Sequence, residues 1–402
     1  MQSSDSKYNR REFLTRTSMG MAAAGIIGVS GSIVPKITKQ QQNPQNEKII
    51  YRTLGKTGIK LPIISMGVMN TLDPEIVKQS YDIGVRHFDT ARAYFNGRNE
   101  EMVGTVIKQL NIRDKVTITT KIQMPQAARG QPPLEPSAVK ERFLTYFGEC
   151  LQRLQMDHVD ILMVHQVSSA EVVKHPGILE AFAELKKAKK IRFAAISVHN
   201  PQVVLNAMVE SKSYDVALVQ VNFTMAENTV LFDAIKNAVN NGIGIMAMKT
   251  QGGGRLPSNL GPINQTAALK WVLRNENITT AIPGYTNFDQ LKEDFSIASN
   301  LEYTPEEKKF LQDKNIKIGL GFCQQCSSCI PTCPYYVDIP TLMRVSMYAV
   351  QYSNFYQARE TFNEIPEEYS LNKCKQCSVC TAKCAHYVNI KDNIDVLKTM
   401  YT

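Results

Sequence analysis

Short apolar runs alternate with amphipathic stretches between residues 49 and 300 of this 402-residue chain. In the amphipathic stretches, such as 137–154, 177–190 and 229–241, apolar residues recur three and four positions apart, which is the period of a helix. The apolar runs are short and are predicted as strands. The eight predicted strands are 63–69, 87–91, 116–122, 159–165, 192–199, 217–223, 243–250 and 279–285.

Continuous apolar strands separated by helices are typical of parallel strands that are covered on both faces. Eight strand–helix units in this length predict an α/β fold, a closed (β/α)8 barrel of the triosephosphate isomerase type, over residues 49–318. An open, doubly wound sheet is the alternative. No Gly-x-Gly-x-x-Gly turn follows the first predicted strand, which counts against that alternative.

The first 35 residues have the order of regions found in an export signal. Arg10 and Arg11 precede a short apolar stretch at 19–34, and a polar linker at 36–48 follows it. The paired arginines resemble a twin-arginine signal, which predicts a periplasmic protein carried by the twin-arginine export machinery. If the signal is retained, the protein would be associated with the membrane. A permanent span is the weaker alternative, because the apolar stretch is short.

Eight of the nine cysteines lie in the last fifth of the chain, in two copies of one motif. The copies are Cys323-x-x-Cys326-x-x-Cys329-x-x-x-Cys333-Pro334 and Cys374-x-x-Cys377-x-x-Cys380-x-x-x-Cys384-Ala385. This spacing is that of bacterial two-cluster ferredoxins, in which the fourth cysteine serves the other cluster. Two [4Fe–4S] clusters are therefore predicted, one held by Cys323, Cys326, Cys329 and Cys384 and the other by Cys333, Cys374, Cys377 and Cys380. Zinc is the alternative, although zinc sites rarely use three equally spaced cysteines.

The segment between the two cysteine motifs is longer than a compact ferredoxin needs, and 345–361 is predicted as a helix. Residues 319–402 are therefore predicted to form a small, mostly helical, ferredoxin-like iron–sulfur domain. The remaining cysteine, Cys150, falls in a helical pattern and is expected to be a small core residue.

Four polar side chains stand at or just after the carboxyl ends of neighbouring predicted strands, where barrel enzymes place their chemistry. Asp89 ends the second strand and Tyr94 follows it, while Lys121 and His165 lie at the ends of the third and fourth. A tyrosine hydroxyl can protonate a developing oxyanion, and a nearby ammonium is expected to lower its pKa from about 10. A carboxylate would keep a buried lysine charged, and a neutral imidazole would hold the carbonyl oxygen.

These residues and their surroundings resemble an aldo/keto reductase. The matching segments are 84–91 with Tyr94, the strand ending in Lys121, 160–165, 190–192 leading to Ser197, then Gln220, and 282–284. The resemblance covers about 49–300. It implies that Tyr94 is the general acid, that Lys121 and Asp89 tune it, and that His165 orients a small carbonyl or alcohol substrate. A sugar or another small aldehyde is suggested by the family alone.

The family binds a nicotinamide cofactor, NAD(P), across the barrel mouth. The resemblance implies that its contacts here are Ser197, Gln220, Met248, Gly284, Asn287 and Gln290. Ser197 and Gln220 match the positions that hold the carboxamide, and Met248 stands where a tyrosine commonly stacks on the ring. Gly284 and Gln290 supply neither of the charges that usually pair with the 2′-phosphate. We therefore expect little preference for NADPH over NADH, or a nucleotide that is retained tightly.

The sequence thus predicts an oxidoreductase that interconverts a carbonyl and an alcohol and carries two clusters, for electron transfer with a redox partner protein or for structure. The alternative is an electron-transfer protein that uses the barrel only as a scaffold. The formal charge of +9 does not predict a nucleic-acid partner. Its densest basic cluster, 186–192, lies at a predicted helix end, where cations complement the helix dipole.

Overall fold

The chain enters the fold through an antiparallel hairpin, formed by Tyr51–Thr53 (β1) and Lys60–Pro62 (β2). The structure, a computed structural model, describes residues 48–127, 132–252, 263–313 and 322–401. The predicted signal at 1–35, all of the linker except Lys48, and the predicted domain boundary at 318 lie outside the described residues. Those assignments stay predictions.

Eight parallel strands follow the hairpin, and each pairs with the next one along the chain. They are Met66–Gly67 (β3), His87–Asp89 (β4), Thr117–Gln123 (β5), Val159–Val167 (β6), Ile191–Val198 (β7), Val216–Gln220 (β8), Gly244–Met248 (β9) and Thr280–Ala281 (β10). The Ser65 N–H donates to Ala281 O at 2.8 Å and Ile64 bridges Ala281, so that the last strand meets the first. The predicted barrel is confirmed.

Five predicted strands are longer than the strands observed, and the first and the last differ most. Only β3 forms within the predicted strand 63–69, and only β10 forms within 279–285. Pro283 has no N–H to donate, which stops regular pairing soon after Ala281. The central strands agree better with the prediction. β6 is buried at every position but one, as expected for a parallel strand covered on both faces.

Helices lie between the strands and pack their apolar faces on the sheet. They are Pro74–Ile83 (α1), Arg98–Leu110 (α2), Pro136–Leu154 (α3), Ala170–Val173 (α4), Pro176–Lys187 (α5), Pro201–Ser211 (α6), Thr229–Asn240 (α7), Gln265–Leu273 (α8), Phe288–Phe295 (α9) and Pro305–Gln312 (α10). Several begin with local signals that the sequence carries. Asp73 caps α1, which has proline at its first position, and Thr304 forms a capping box with Glu307 in α10.

The barrel interior is closed at its amino-terminal end by the loop of the β1–β2 hairpin. Leu54 and Leu61 from the hairpin are fully buried against Met163 and Met246 of the strands. Gly55, with φ of +49°, passes so close that a Cβ on it would lie 2.4 Å from the backbone nitrogen of Gly244. With this end filled by side chains, the open end of the barrel is the carboxyl end of the strands.

In its described residues, 322–401, the cysteine tail adds three helices around a small apolar core of its own. They are Ile339–Ser346 (α11), Phe355–Asn363 (α12) and Ile390–Tyr401 (α13), packed around residues such as Leu342, Val345 and Leu397. Residues 47–402 form one compact unit, so the tail packs directly on the barrel. In the parts of the chain described, no helix is both long enough and apolar enough to span a membrane.

The prediction of one continuous helix over 345–361 is wrong. α11 ends at Ser346 and continues as a π-helical turn, Met347–Gln351, after which the chain breaks before α12. Ser353 has a left-handed φ of 52°, and the side chain of Asn354 accepts a hydrogen bond from Gln357 N at 3.0 Å, which starts a new helix. We call residues 347–357 the connector.

Candidate active site and iron–sulfur region

The barrel strands bring Asp89, Tyr94 and Lys121 into direct contact. Lys121 Nζ is almost completely buried and donates hydrogen bonds to Asp89 Oδ1, to Thr90 O at 2.8 Å, and to the Tyr94 hydroxyl at 3.4 Å. Parallel pairing of β4 with β5 places Asp89 and Lys121 on adjacent strands at the same end of the barrel, and Tyr94 lies in the short helical turn after β4. The ammonium therefore stands between a carboxylate and a phenol.

His165 completes the group at the end of the next strand, β6. Its ring lies edge-on to the Tyr94 ring, with centroids 5.7 Å apart and the planes at 77°. Burial, with Lys121, Arg344 and Lys249 nearby, lowers the pKa of His165 well below its ordinary value, so that the imidazole is neutral near pH 7. The Nδ1 atom has no hydrogen-bond partner among the residues described.

The pKa of Tyr94 is raised, not lowered as expected from the sequence. Burial of the phenol is the largest cause, and the Asp89 carboxylate adds to it. The Lys121 ammonium alone would lower this pKa, but placing a phenolate in a buried site costs more free energy than the ammonium returns. The hydroxyl consequently keeps its proton, which is the form that a proton donor needs. Burial likewise raises the pKa of Asp89 and lowers that of Lys121, and each group opposes the shift of the other.

A cavity of about 530 Å³ opens above these four residues at the barrel mouth. Barrel residues line one side of it, and the other side is lined by the connector. The connector residues that reach the cavity are Tyr348, Gln351, Tyr352, Ser353 and Gln357. The connector, which lies between the two cysteine motifs, thus covers the barrel mouth.

The tail brings the eight cysteines together in two groups. Cys333, Cys374, Cys377 and Cys380 line a cavity of about 200 Å³. In the other group, burial raises the pKa of the Cys323 thiol to about 11, and Cys384 and Cys326 act on it electrostatically. Burial raises the pKa of Cys329 to about 12, with contributions from the same three cysteines. In each group, three cysteines of one motif meet the last cysteine of the other.

Hydrogen bonds between the motifs hold this crossed arrangement. The Thr332 hydroxyl oxygen accepts from Lys383 N at 2.9 Å, and Thr332 O accepts from the Thr381 hydroxyl at 3.2 Å. Cys150 lies apart, buried in α3, as expected. All nine cysteines are free thiols in the structure, and no three metal-binding side chains among the described residues converge closely enough to hold a single metal ion.

Comparison with known families agrees with both parts of this architecture. Residues 72–265 match the aldo/keto reductase family, and residues 322–389 match a 4Fe-4S dicluster domain. The chain carries an aldo/keto reductase domain followed by a 4Fe-4S dicluster domain. Relatives of the reductase domain are named as reductases and dehydrogenases, and the protein is an oxidoreductase.

Three relatives illustrate how far the similarity extends. An L-glyceraldehyde 3-phosphate reductase of Escherichia coli O157:H7 is 23% identical over 318 residues, which cover 64% of this chain and 90% of the relative. An L-galactose dehydrogenase of Arabidopsis thaliana is 24% identical, with 66% and 93% covered. The structure of an aldo-keto reductase from Bacillus halodurans superposes with a TM-score of 0.52 at 22% identity, over 66% of this chain and 96% of that one. That likeness concerns the fold.

The residues predicted to hold a nicotinamide fall into two sets in the reductase domain. Ser197, Met248, Gly284 and Gln290 line the cavity, whereas Gln220 and Asn287 are not among its lining residues. The Asn287 side chain accepts a hydrogen bond from Gln290 N at 3.0 Å and so caps α9.

Gln220 links the reductase domain to the first cysteine motif. Its side chain is fully buried at the end of β8, and Nε2 donates to Cys323 O at 3.2 Å. Its Oε1 has no hydrogen-bond partner within the described chain. Its predicted contact with a carboxamide stays a prediction, and the contact observed is with the backbone of a predicted cluster ligand.

Several cavity residues were missed by the sequence reasoning. Gln166 follows His165 at a register shift in β6, with φ of 58°, and Lys249 follows Met248 with φ of 55°. Both could have been found, since they directly follow residues that were singled out. The connector residues could not, because they lie far along the chain from the barrel strands that they face.

Lys249 and Arg344 lie near each other between the barrel and the first cysteine motif. Both line a second cavity of about 190 Å³ together with Cys323. Burial lowers the pKa of Lys249 well below its ordinary value, and Arg344 lowers it further. Arg344 donates to Gln325 Oε1 at 3.2 Å, and its Nε is buried without a partner among the described residues. A negative group beside this pair would be stabilised.

Proposed function

We propose that the protein interconverts a small carbonyl compound and its alcohol by hydride transfer with a nicotinamide cofactor. The observation that carries this proposal is the contact between Lys121 Nζ and the Tyr94 hydroxyl, with Asp89 behind the lysine, at the floor of the cavity. A scaffold has no use for a buried ammonium facing a buried phenol, because burying both is costly.

The four residues divide the work as follows. Tyr94 holds a proton at its hydroxyl and gives it to the carbonyl oxygen, or takes it back in the reverse direction. Lys121, fixed by Asp89 and Thr90 O, stabilises the negative charge left on the phenol oxygen. His165, neutral and edge-on to Tyr94, orients the carbonyl oxygen. A bound nicotinamide would supply or accept the hydride at the substrate carbon.

The chain offers suitable contacts for NAD(P). Ser197 and Met248 line the cavity, and two further lining residues, Gln166 and Thr250, have side-chain oxygens that are buried without a partner among the described residues. These groups could pair with polar atoms of the cofactor. Gln290 Oε1 accepts from Thr286 N at 2.8 Å and brings no positive charge, which supports weak discrimination between NADH and NADPH.

We also propose two [4Fe–4S] clusters with crossed ligands. The first would use Cys323, Cys326, Cys329 and Cys384, and the second Cys333, Cys374, Cys377 and Cys380. The grouping of the thiols and the match to a dicluster domain support this assignment. The clusters would exchange electrons with a redox partner protein or stabilise the connector. The paired Arg10 and Arg11 support export to the periplasm through the twin-arginine machinery.

The test is a comparison of two buried tyrosines. Tyr94→Phe removes the proposed proton donor, whereas Tyr214→Phe removes a buried hydroxyl outside the cavity that donates to Val173 O at 2.8 Å. With iron content unchanged, we expect Tyr94→Phe to lose at least about a hundredfold in kcat for aldehyde reduction and Tyr214→Phe to keep its activity. Full activity of Tyr94→Phe, or electron transfer to a partner with no carbonyl turnover in the unaltered protein, would favour the carrier function.

A further inference from the structure

The connector lies over the barrel mouth and shares the cavity with the reacting residues. Tyr348, Gln351, Tyr352 and Gln357 line the same space as Tyr94. A substrate whose carbonyl reaches Tyr94 would therefore extend toward a wall that is built by the iron–sulfur tail, not by a barrel loop.

Three contacts fix the connector and α12 on the barrel rim. Asn354 Nδ2 donates to Met69 O and to Asn70 Oδ1, both at 3.3 Å. The Tyr356 ring stacks on Phe95, next to Tyr94, with centroids 5.7 Å apart and planes at 16°.

The third contact is a hydrogen bond from Gln123 Nε2 to Glu364 Oε1. Together the contacts reach the segments that follow β3 and β4 and the last residue of β5, so the wall is held in place at three separate points of the barrel mouth. Because these groups are already held in place, they lose little conformational entropy when a ligand binds.

The wall offers hydrogen-bond acceptors that the described protein does not use. Gln357 is 2% exposed, and its Nε2 donates to Thr361 Oγ1 at 3.3 Å. The Oε1 atoms of Gln357 and Gln351 are both buried and have no partner among the described residues. A buried carboxamide oxygen left without a donor is costly, so these two atoms are available to accept hydrogen bonds from a ligand with O–H or N–H groups.

The chemistry of the wall selects among ligands. Carboxamide oxygens accept hydrogen bonds, so they suit hydroxyl groups and disfavour phosphate or carboxylate oxygens, which are also acceptors. Two lysines also line the cavity. Lys121 pairs with Asp89, the only carboxylate among the described lining residues, and Lys249 lies on the side toward Arg344 and Cys323. Beside the glutamines, the Tyr348 and Tyr352 rings, 6.0 Å apart, give apolar surface with a hydroxyl at its edge.

We propose that the connector is the substrate-binding wall of the cavity, and that Gln351 and Gln357 accept hydrogen bonds from the hydroxyl groups of an uncharged polyhydroxylated substrate. This rests on the proposed function, since it takes Tyr94 as the reacting end of the cavity. The barrel supplies the proton chemistry and the iron–sulfur tail supplies substrate recognition. The tail thereby has a role in the reaction that does not depend on electron transfer.

The experiment uses the anaerobically purified full-length protein with its clusters. Gln357→Leu and Gln351→Leu remove the acceptors. Gln265→Leu is the matched control, since Gln265 is a buried glutamine in α8 whose Oε1 also has no partner among the described residues, but it does not line the cavity. Iron and sulfide content report whether each variant keeps its clusters. Binding of neutral aldoses and alditols is measured by calorimetry, and kcat/KM is measured with an aldose and with a short aldehyde that lacks hydroxyl groups.

We expect Gln357→Leu and Gln351→Leu each to bind polyols about tenfold more weakly and to lose the same factor in kcat/KM for the aldose, with little change for the short aldehyde. Gln265→Leu should keep near wild-type values for both substrates. Equal effects on both substrates, unchanged polyol binding, or tighter binding of a sugar phosphate than of the neutral sugar would overturn the proposal. Because binding is measured without turnover, polyol binding that depends on Gln357 upholds this wall even if no carbonyl is reduced. The absence of carbonyl reduction would overturn only the catalytic proposal.

Discussion

Replacing Lys121 by methionine would leave the Asp89 carboxylate buried without its countercharge. Asp89 is 2% exposed, and its Oδ2 already lacks a hydrogen-bond partner among the described residues. Methionine keeps most of the lysine's apolar volume, so the change removes mainly the charge and its hydrogen bonds. Breaking a buried ion pair in this way costs about 3–5 kcal/mol of stability.

The pH dependence of this loss has a definite sign. Burial already raises the pKa of Asp89 while Lys121 opposes the shift, and removing Lys121 raises the pKa further. A carboxyl whose pKa is higher in the folded state than in the unfolded state costs stability as the pH rises above its unfolded pKa, about 3.9. The difference between wild type and Lys121→Met should therefore be larger at about pH 8 than at about pH 5.5. Adding Asp89→Asn to the variant should restore most of the loss.

Urea unfolding of the holoprotein can be followed by the fluorescence of Trp271, the only tryptophan, which lies in α8 against Phe232. Lys270→Met is a matched control, because Lys270 also forms a buried pair, with Glu307 at 2.8 Å. Glu307 keeps hydrogen bonds from Thr304 N and Thr266 Oγ1, so this control should lose less. A loss below about 1 kcal/mol in Lys121→Met, or no recovery in the double variant, would refute the reasoning.

Three further predictions concern the cofactor sites. Cys384→Ala should remove about half of the bound iron, the share of one cluster, whereas Cys150→Ala should keep all of it. Iron analysis after anaerobic purification measures this, and a full iron content in Cys384→Ala would contradict the ligand assignment. Gln290→Arg should tighten NADPH binding about tenfold or more and leave NADH unchanged, as measured by fluorescence titration, because a guanidinium can pair with the 2′-phosphate. Arg344→Met should lower the reduction potential of the cluster nearest Cys323, because a cation beside that cluster is lost, while Arg359→Met on the outer face of α12 should leave the potential unchanged. Potentiometric titration followed by electron paramagnetic resonance measures the potential in both variants. Equal potentials in the two variants would contradict the role of Arg344.

The barrel and the position of its four polar residues could be predicted because each follows from local patterns. Apolar runs of strand length, such as the one that forms β6, are buried on both faces, and residues at their carboxyl ends meet at one mouth. Asp89, Lys121 and His165 were found from that rule alone. The grouping of the cysteines could also be predicted, because the repeated motif resembles that of two-cluster ferredoxins, in which the fourth cysteine serves the other cluster. Their role as cluster ligands stays a prediction.

Other features depend on contacts between distant parts of the chain and could not be predicted. The side chain of Gln220 donates its hydrogen bond to Cys323, about a hundred residues away, and nothing near Gln220 in the sequence indicates this contact. The break in the connector depends on a left-handed Ser353 and on Asn354, whose side chain caps α12 while also reaching the barrel rim. The direction of the Tyr94 pKa shift required knowing how deeply the phenol is buried.

Hydride transfer to the carbonyl carbon can be followed with an isotope label. The anaerobic holoprotein is given a polyhydroxylated aldehyde and a reduced nicotinamide cofactor that carries deuterium at both C4 positions, in ordinary water, and the alcohol product is analysed by nuclear magnetic resonance. We expect one deuterium on the former carbonyl carbon. Product without deuterium, or reduced clusters with no alcohol formed, would contradict it.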